Sequence, residues 1–309
     1  MKFLIVGPGA VGCLLACLLS RAGQEVELLD YRQDRAERIS KRGLKLEGLS
    51  GEGHYHIPVS AGAITKEPDV VILCVKAYKT KEACWVLRGL LRKQTVVLTL
   101  QNGVGNWEIM EEVLGGHQIT AGITSEGATL VGEGHVRHAG KGETIIGRGS
   151  LSTSYLQQIV DVLNTCGLNT RWEEDITGLI WGKLLVNVGI NALTAIARVR
   201  NGVLVENENL KAVMSLLVKE ALEVISEKGI KLPFEDPLEK VFEVAKNTGQ
   251  NISSMLQDVL KEKRTEISFM NGAIVREGKK LGISTPLNEL ITHLVIGIEA
   301  THDRRVRPS

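Results

Sequence analysis

The sequence predicts an α/β half built on a doubly wound parallel sheet, followed by an all-α half. Three observations carry this. A glycine-rich hexapeptide near the start sits between an apolar strand and an apolar helix. Near-continuous apolar runs that read as buried strands recur at Phe3–Val6, Pro68–Val75 and Thr95–Leu100, with helical stretches after the first two. From Ile176 onward strand patterning stops and long helical periods take over. The expected division is a nucleotide-binding domain over residues 1–174 and an all-helical, substrate-binding domain over residues 175–309.

Composition narrows the class. The 309 residues suit about two domains, and 43% hydrophobic with 24% charged residues is ordinary for a soluble globular chain. A formal net charge of +1 gives no electrostatic reason to expect nucleic acid or an anionic membrane as partner. The opening Met1-Lys2-Phe3-Leu4-Ile5-Val6 moves directly into a glycine turn, so no secretory leader is expected and the cytoplasm is the expected compartment. Five cysteines, Cys13, Cys17, Cys74, Cys84 and Cys166, form no Cys-x-x-Cys pair and have no histidines at metal spacing; no metal site is expected.

Residues 3–6 read as a buried strand. Gly7-Pro8-Gly9-Ala10-Val11-Gly12 then matches G-x-G-x-x-G ahead of an apolar helix from Leu14 to Ala22. The first glycine permits the tight turn, the second lets backbone approach a pyrophosphate, and the third lets helix pack on strand. Gly23 ends that helix, and Glu25–Leu29 supplies a second strand with Asp30 at its tip, eighteen residues past Gly12. A carboxylate there accepts from adenine ribose hydroxyls and disfavours a 2′-phosphate. Arg32 and Arg35 follow, either as phosphate ligands or as surface charges of the next helix, Arg32 to Arg42.

Pro68–Val75 has the unbroken apolar character of an interior parallel strand and delivers Lys76 at its carboxyl end, the ligand-binding edge of such sheets. A helix with Trp85, Leu87 and Leu90 and a strand over Thr95–Leu100 follow, ending in Gln101-Asn102-Gly103. Asn102 is either a turn residue or a contact for the nicotinamide end. Residues 119–147 read as antiparallel strands finishing the domain. His135 and His138, three apart on a strand, point to opposite faces and make a poor metal pair. A helix from Ser152 to Cys166 and a strand from Leu168 to Trp172 close this half.

The second half opens with an apolar helix, Gly178 to Ala197, interrupted by Lys183, Asn187 and Asn191. At about 100° per residue, steps of four drift only about 40°, so the three share one stripe. An ammonium and two carboxamides on a buried face need polar company. They make either a satisfied seam or, downstream of a dinucleotide motif, a substrate site. The lysine near the middle argues against a membrane span. Helices are expected over Asn209–Lys228, Leu238–Asn247, Ser254–Lys263, Glu266–Leu281 and Leu287–Thr301, and the two domains are expected to leave a cleft between them.

These residues carry a resemblance over nearly the whole chain. Gly-Pro-Gly-Ala-Val-Gly, Val-Lys76-Ala, Gln-Asn102-Gly, Trp-x-Lys183-x3-Asn187-x3-Asn191, Asn251-Ile-Ser-Ser-Met-Leu-Gln-Asp258 and Arg264-Thr-Glu266-Ile-x3-Asn271-Gly272 occur in order. The sequence resembles ketopantoate reductases, within the 6-phosphogluconate-dehydrogenase-like group with its Rossmann-like first domain. The resemblance implies reduction of a 2-oxo acid, 2-dehydropantoate, to (R)-pantoate with NADP(H). It implies that Lys183 is the general acid and that Glu266 positions it or exchanges protons with it. Asn187, Asn191 and Asn201 would hold the substrate's oxygen groups and Ser254 its carboxylate. The Gly7–Gly12 loop, Asp30, Arg32, Lys76 and Asn102 would hold the cofactor.

Asp30 departs from the basic residue common at that place and leaves NAD(H) open. Other readings stand beside these: Asn201-Gly202 as a helix stop, Ser253 or Ser254 as a helix N-cap, Glu266 as a surface carboxylate. Another small 2-oxo acid as substrate, a dinucleotide sensor without turnover, and a homodimer also stay open.

Overall fold

The computed structural model describes residues 1–306 and resolves two compact units. The first comprises Met1–Gln101 and Asn106–Ile176, the second Asn102–Gly105 and Thr177 onward.

The first unit begins β1 (Lys2–Val6), α1 (Ala10–Arg21), β2 (Glu25–Asp30) and α2 (Gln33–Arg42). Three short strands follow, β3 (Leu44–Gly48), β4 (Gly53–Tyr55) and β5 (Val59–Ala61). Then come β6 (Val70–Leu73), α3 (Thr80–Arg88), β7 (Val96–Thr99), α4 (Asn106–Leu114) and β8 (Gln118–Thr124). The unit ends with β9 (Gly127–Gly132), β10 (His135–Gly140), β11 (Glu143–Gly147), α5 (Thr153–Thr165) and β12 (Asn169–Glu173).

The main sheet has the order β12-β11-β8-β7-β6-β1-β2-β5. It is parallel except where β8 meets β11. Strand order reverses at β1, so the loop after β1 opens at a topological switch point, where such sheets bind ligands. Strand side chains alternate between two apolar layers. Phe3, Ile5, Val70 and Ile72 pack with α1 and α5, while Leu4, Val6, Val71 and Leu73 pack with α3 and α4.

Residues 119–147 meet the antiparallel expectation in part: β8 pairs β11 and β9 pairs β10 antiparallel, but β8 also pairs β7, and β10 pairs β3, in parallel. The helix α4, unread in the sequence, carries the chain back so that β8 joins β7 in parallel, and its apolar run is buried inside the sheet. Strands β9 and β10 leave for a second sheet, β4-β3-β10-β9, in which β10 pairs β3 in parallel and β9 antiparallel. His138 is buried there between Glu126 (2.6 Å) and the Ser50 hydroxyl (2.6 Å), while His135 bonds Glu47 (2.7 Å).

The second unit is helical: α6 (Thr177–Ala197), α7 (Val203–Glu206), α8 (Glu208–Glu227), α9 (Pro237–Asn247), α10 (Ser254–Leu260), α11 (Asn271–Leu281) and α12 (Pro286–Ala300). Its core forms around α6 through Leu184, Leu185, Val188 and Leu193. By length and composition α6 is apolar enough to cross a membrane, yet 67% of its most apolar window is buried inside the protein, as a core helix requires. The helix expected over Glu266–Leu281 is broken. A 3-10 turn spans Ile267–Phe269, and Met270 leaves helical geometry at φ −113°, ψ −101° before α11 begins.

Candidate active site

The loop after β1 is shaped by what its glycines exclude. Gly7 has φ 103°, and a Cβ there would stand 2.8 Å from the Val75 side chain. A Cβ on Gly12 would come within 2.1 Å of the Gly7 carbonyl oxygen, so only glycine lets α1 start this close to its own strand. Gly9 is the N-cap of α1 in extended geometry, and no side chain caps the helix. The first-turn N–H groups of Ala10, Val11 and Gly12 thus have no side-chain cap at the positive end of the helix dipole. Pro8 offers no N–H and stiffens the approach. These residues fit the pyrophosphate of a dinucleotide.

Asp30 ends β2 as a buried carboxylate, and both oxygens are engaged. Arg35 donates from Nε (2.5 Å) and Nη2 (2.6 Å), and the Arg32 backbone N–H adds a third bond (3.2 Å). Arg35 is therefore the neutralising partner of Asp30 rather than a bare surface charge, and the bond raises its already high pKa. The Arg32 guanidinium is exposed and pairs with Asp34.

Lys76 lies three residues past the end of β6 and begins the 3-10 turn Ala77–Lys79. The loop beside it is held by a residue that sequence reasoning passed over. Gln101 donates to the Val75 carbonyl (2.7 Å) and to the Thr80 hydroxyl (2.9 Å). Thr80 in turn donates to Asn106 (2.9 Å). Asn102 belongs to the second unit, where the next residue, Gly103, lies so close to Phe269 that a Cβ would meet its carbonyl at 2.3 Å.

On α6, Lys183 and Asn187 are half-buried and Asn191 is buried. The spacing of four places them along one side, as the period requires. The Asn191 amide donates to the Met270 sulfur (3.4 Å). Although Lys183 as a residue keeps some accessible surface, loss of hydration at its ammonium pulls its pKa down to about 8, and the charge of Glu266 pulls the other way. Glu266 is buried at the start of the 3-10 turn, so it is not a surface carboxylate. An ammonium held this close to neutrality, with one carboxylate acting on it, is suited to give up and regain a proton.

Asn201 does not stop a helix. Helix α6 ends at Ala197 and Arg198 takes the left-handed conformation (φ 54°). Asn201 instead docks on the loop before α10, its backbone N–H on Asn251 (3.1 Å) and its amide on Thr248 (2.9 Å). Its Oδ1 is buried without a hydrogen-bond partner. The N-cap of α10 is Ser253, which accepts from Leu256 (3.1 Å) and meets the Thr194 hydroxyl of α6 (2.7 Å). Ser254 therefore keeps its hydroxyl at the exposed start of the helix. Among the described residues, no three His, Cys, Asp or Glu side chains converge as metal ligands.

Comparison with known proteins bears on this arrangement. The family model described as "Ketopantoate reductase PanE/ApbA" matches residues 3–150, and that for the "C terminal" part matches residues 175–299. A 2-dehydropantoate 2-reductase of Pyrococcus horikoshii is 38% identical over 300 residues, covering 96% of each chain. Among solved structures, a PanE/ApbA family ketopantoate reductase from Ralstonia eutropha JMP134 superposes with a TM-score of 0.90 at 33% identity, over 98% of this chain and 100% of that one. A D-mandelate dehydrogenase solved with NADH and anilino(oxo)acetate superposes with a TM-score of 0.91 at 29% identity, with the same coverage. With both halves matched in order and a relative 38% identical over nearly the full length, the chain belongs to the ketopantoate reductase family.

Proposed function

We propose that the chain reduces 2-dehydropantoate to (R)-pantoate in the cytoplasm, a step toward pantothenate and coenzyme A, using a reduced nicotinamide dinucleotide. The bound dinucleotide supplies the hydride that arrives at the ketone carbon. As that bond forms, negative charge develops on the ketone oxygen, and the Lys183 ammonium donates its proton there. Glu266 keeps the lysine charged against its burial and is the route by which a proton is restored. Asn187, Asn191 and Asn201 orient the hydroxyl and oxo oxygens without adding charge, and the Ser254 hydroxyl takes the carboxylate. The observation that carries this reading is the single desolvated ammonium on a face otherwise lined by carboxamides.

NADP(H) is the donor we assign, with NAD(H) also used. The charge of Asp30 is offset by Arg35, so it opposes a 2′-phosphate weakly, and Arg32 is exposed with an exchangeable surface partner. Lys76 and Asn102 are assigned to the nicotinamide ribose. Replacing Arg32 by Ala is expected to raise KM for NADPH about tenfold and leave NADH unchanged, since a charged hydrogen bond is worth about 1.5–3 kcal/mol; equal effects on the two would remove Arg32 from the phosphate. Assembly as a homodimer belongs to the same proposal, and light scattering at the 33.7 kDa of one chain would contradict it.

A second reading is favoured by one likeness, that to the D-mandelate dehydrogenase with NADH. The same residues would then reduce an aryl 2-oxo acid. Initial rates with 2-dehydropantoate and with phenylglyoxylate, each with NADPH and NADH, separate the two. A kcat/KM at least about tenfold higher for 2-dehydropantoate is expected, and the reverse order would establish the second reading.

A further inference from the structure

The segment that bears Glu266 is held from outside the polar face of α6, by a residue thirty-three positions downstream. Glu299, near the end of α12, accepts two hydrogen bonds on the same oxygen, from the Thr265 backbone N–H (2.8 Å) and from the Thr265 hydroxyl (2.5 Å). Thr265 is buried, and its hydroxyl oxygen in turn accepts from the Ile267 N–H (3.2 Å). One threonine thus ties down the residues immediately before and after Glu266. On the other side, Asn271 donates to the Val188 carbonyl of α6 (3.2 Å) and to Asn288 of α12 (3.0 Å), and Asn191 reaches Met270. The five residues from Glu266 to Met270 are therefore a short irregular span fixed at both ends. Their own backbone contributes one 3-10 turn, with the Phe269 N–H on the Glu266 carbonyl (2.9 Å), which is a weak element, so the bonds at the two ends carry much of the anchoring.

We propose that Glu299, acting through Thr265, is a positioning residue that holds the Glu266 carboxylate against the Lys183 ammonium. The inference rests on the reading of Lys183 as the general acid. The titratable and charged groups on the pieces packed together here are Lys183 on α6, Asp258 on α10, Arg264 and Glu266 in the segment, Arg276, Glu277, Lys279 and Lys280 on α11, and Glu289, His293 and Glu299 on α12. The charge of Glu266 acts on Lys183 and favours its protonated form. Loosening Glu266 removes that support, so the lysine loses its proton at lower pH.

The test is the pH profile of kcat for NADPH-dependent reduction of 2-dehydropantoate by the whole chain. Glu299→Ala and Thr265→Val are expected to move the alkaline limb down by about one pH unit, the smaller end of what a neighbouring opposite charge contributes. KM for NADPH should stay within about twofold, which also reports that the variants fold. Glu299→Gln keeps an oxygen able to accept both bonds and should retain the wild-type limb, as should Thr265→Ser. A limb unmoved in Glu299→Ala and Thr265→Val overturns the proposal. So does an equal shift in Glu299→Ala and Glu299→Gln, because charge rather than geometry would then be acting. Full activity in Lys183→Ala would bring down the general-acid reading first and this inference with it, and that outcome is distinguishable from the other two.

Discussion

At the scale of single residues, the proposed chemistry turns on the Lys183 amine, whose burial brings its pKa to about 8. Reduction needs the protonated form, which prevails below that value. The rate of reduction is therefore expected to be flat at neutral pH and to fall tenfold per unit above about pH 8, while oxidation of pantoate rises over the same range. A pH profile without a break near 8 would separate Lys183 from the proton transfer. Arg35 offers a second test. Replacing it with Ala frees the Asp30 carboxylate to accept from ribose hydroxyls and removes a positive charge, so the NADPH to NADH ratio of kcat/KM should fall at least about tenfold. An unchanged ratio would mean that this pair does not face the adenine ribose.

Some of this was open to sequence reasoning, some was not. The stripe of Lys183, Asn187 and Asn191 follows from helix period alone. The bonds of Asp30 with Arg35, and of Thr265 with Glu299, do not, because a side chain's partner is set by rotamer and packing and leaves no periodic trace. Ser253 and Ser254 stand adjacent as equal cap candidates in the sequence. Only the backbone geometry before α10 shows that Ser253 caps and Ser254 does not.

At the scale of elements, α6 accepts its neighbours at a glycine. A Cβ at Gly189 would stand 2.7 Å from Val241 and 3.0 Å from Val218. Gly189→Ala gains helix propensity but overpacks the core. A net loss of about 1–3 kcal/mol, read as a lower thermal midpoint, is expected. A raised midpoint would show that the valines move aside freely. Long apolar runs and strongly periodic helices were legible: β1, β2, β6, β7 and α8 lie within a residue or two of the expected spans, while α1 starts four residues ahead of its expected Leu14, at Ala10 inside the glycine motif. The short strands β3, β4 and β5 and the nine-residue α4 were not, since three to five residues carry too little pattern and α4 mixes glutamates with its apolar side. The break at Met270 leaves no mark in the sequence, because Glu266–Leu281 keeps an apolar helical period through it.

At the scale of the molecule, each unit encloses its own core, and Asn102–Gly105 clusters with the helical unit although it follows a strand of the other. Sequence order alone hides such an exchange. The family, the reaction class and the helical second half were legible because short motifs occur in a fixed order along nearly the full length. The proposed reduction depends on one proton donor, Lys183. Its most direct test is single-turnover reduction of 2-dehydropantoate by NADPH in the wild type and in Lys183→Ala, with nucleotide affinity measured alongside. The predicted result is a rate lowered by at least about a hundredfold with affinity unchanged. A variant within about threefold of wild type would contradict it.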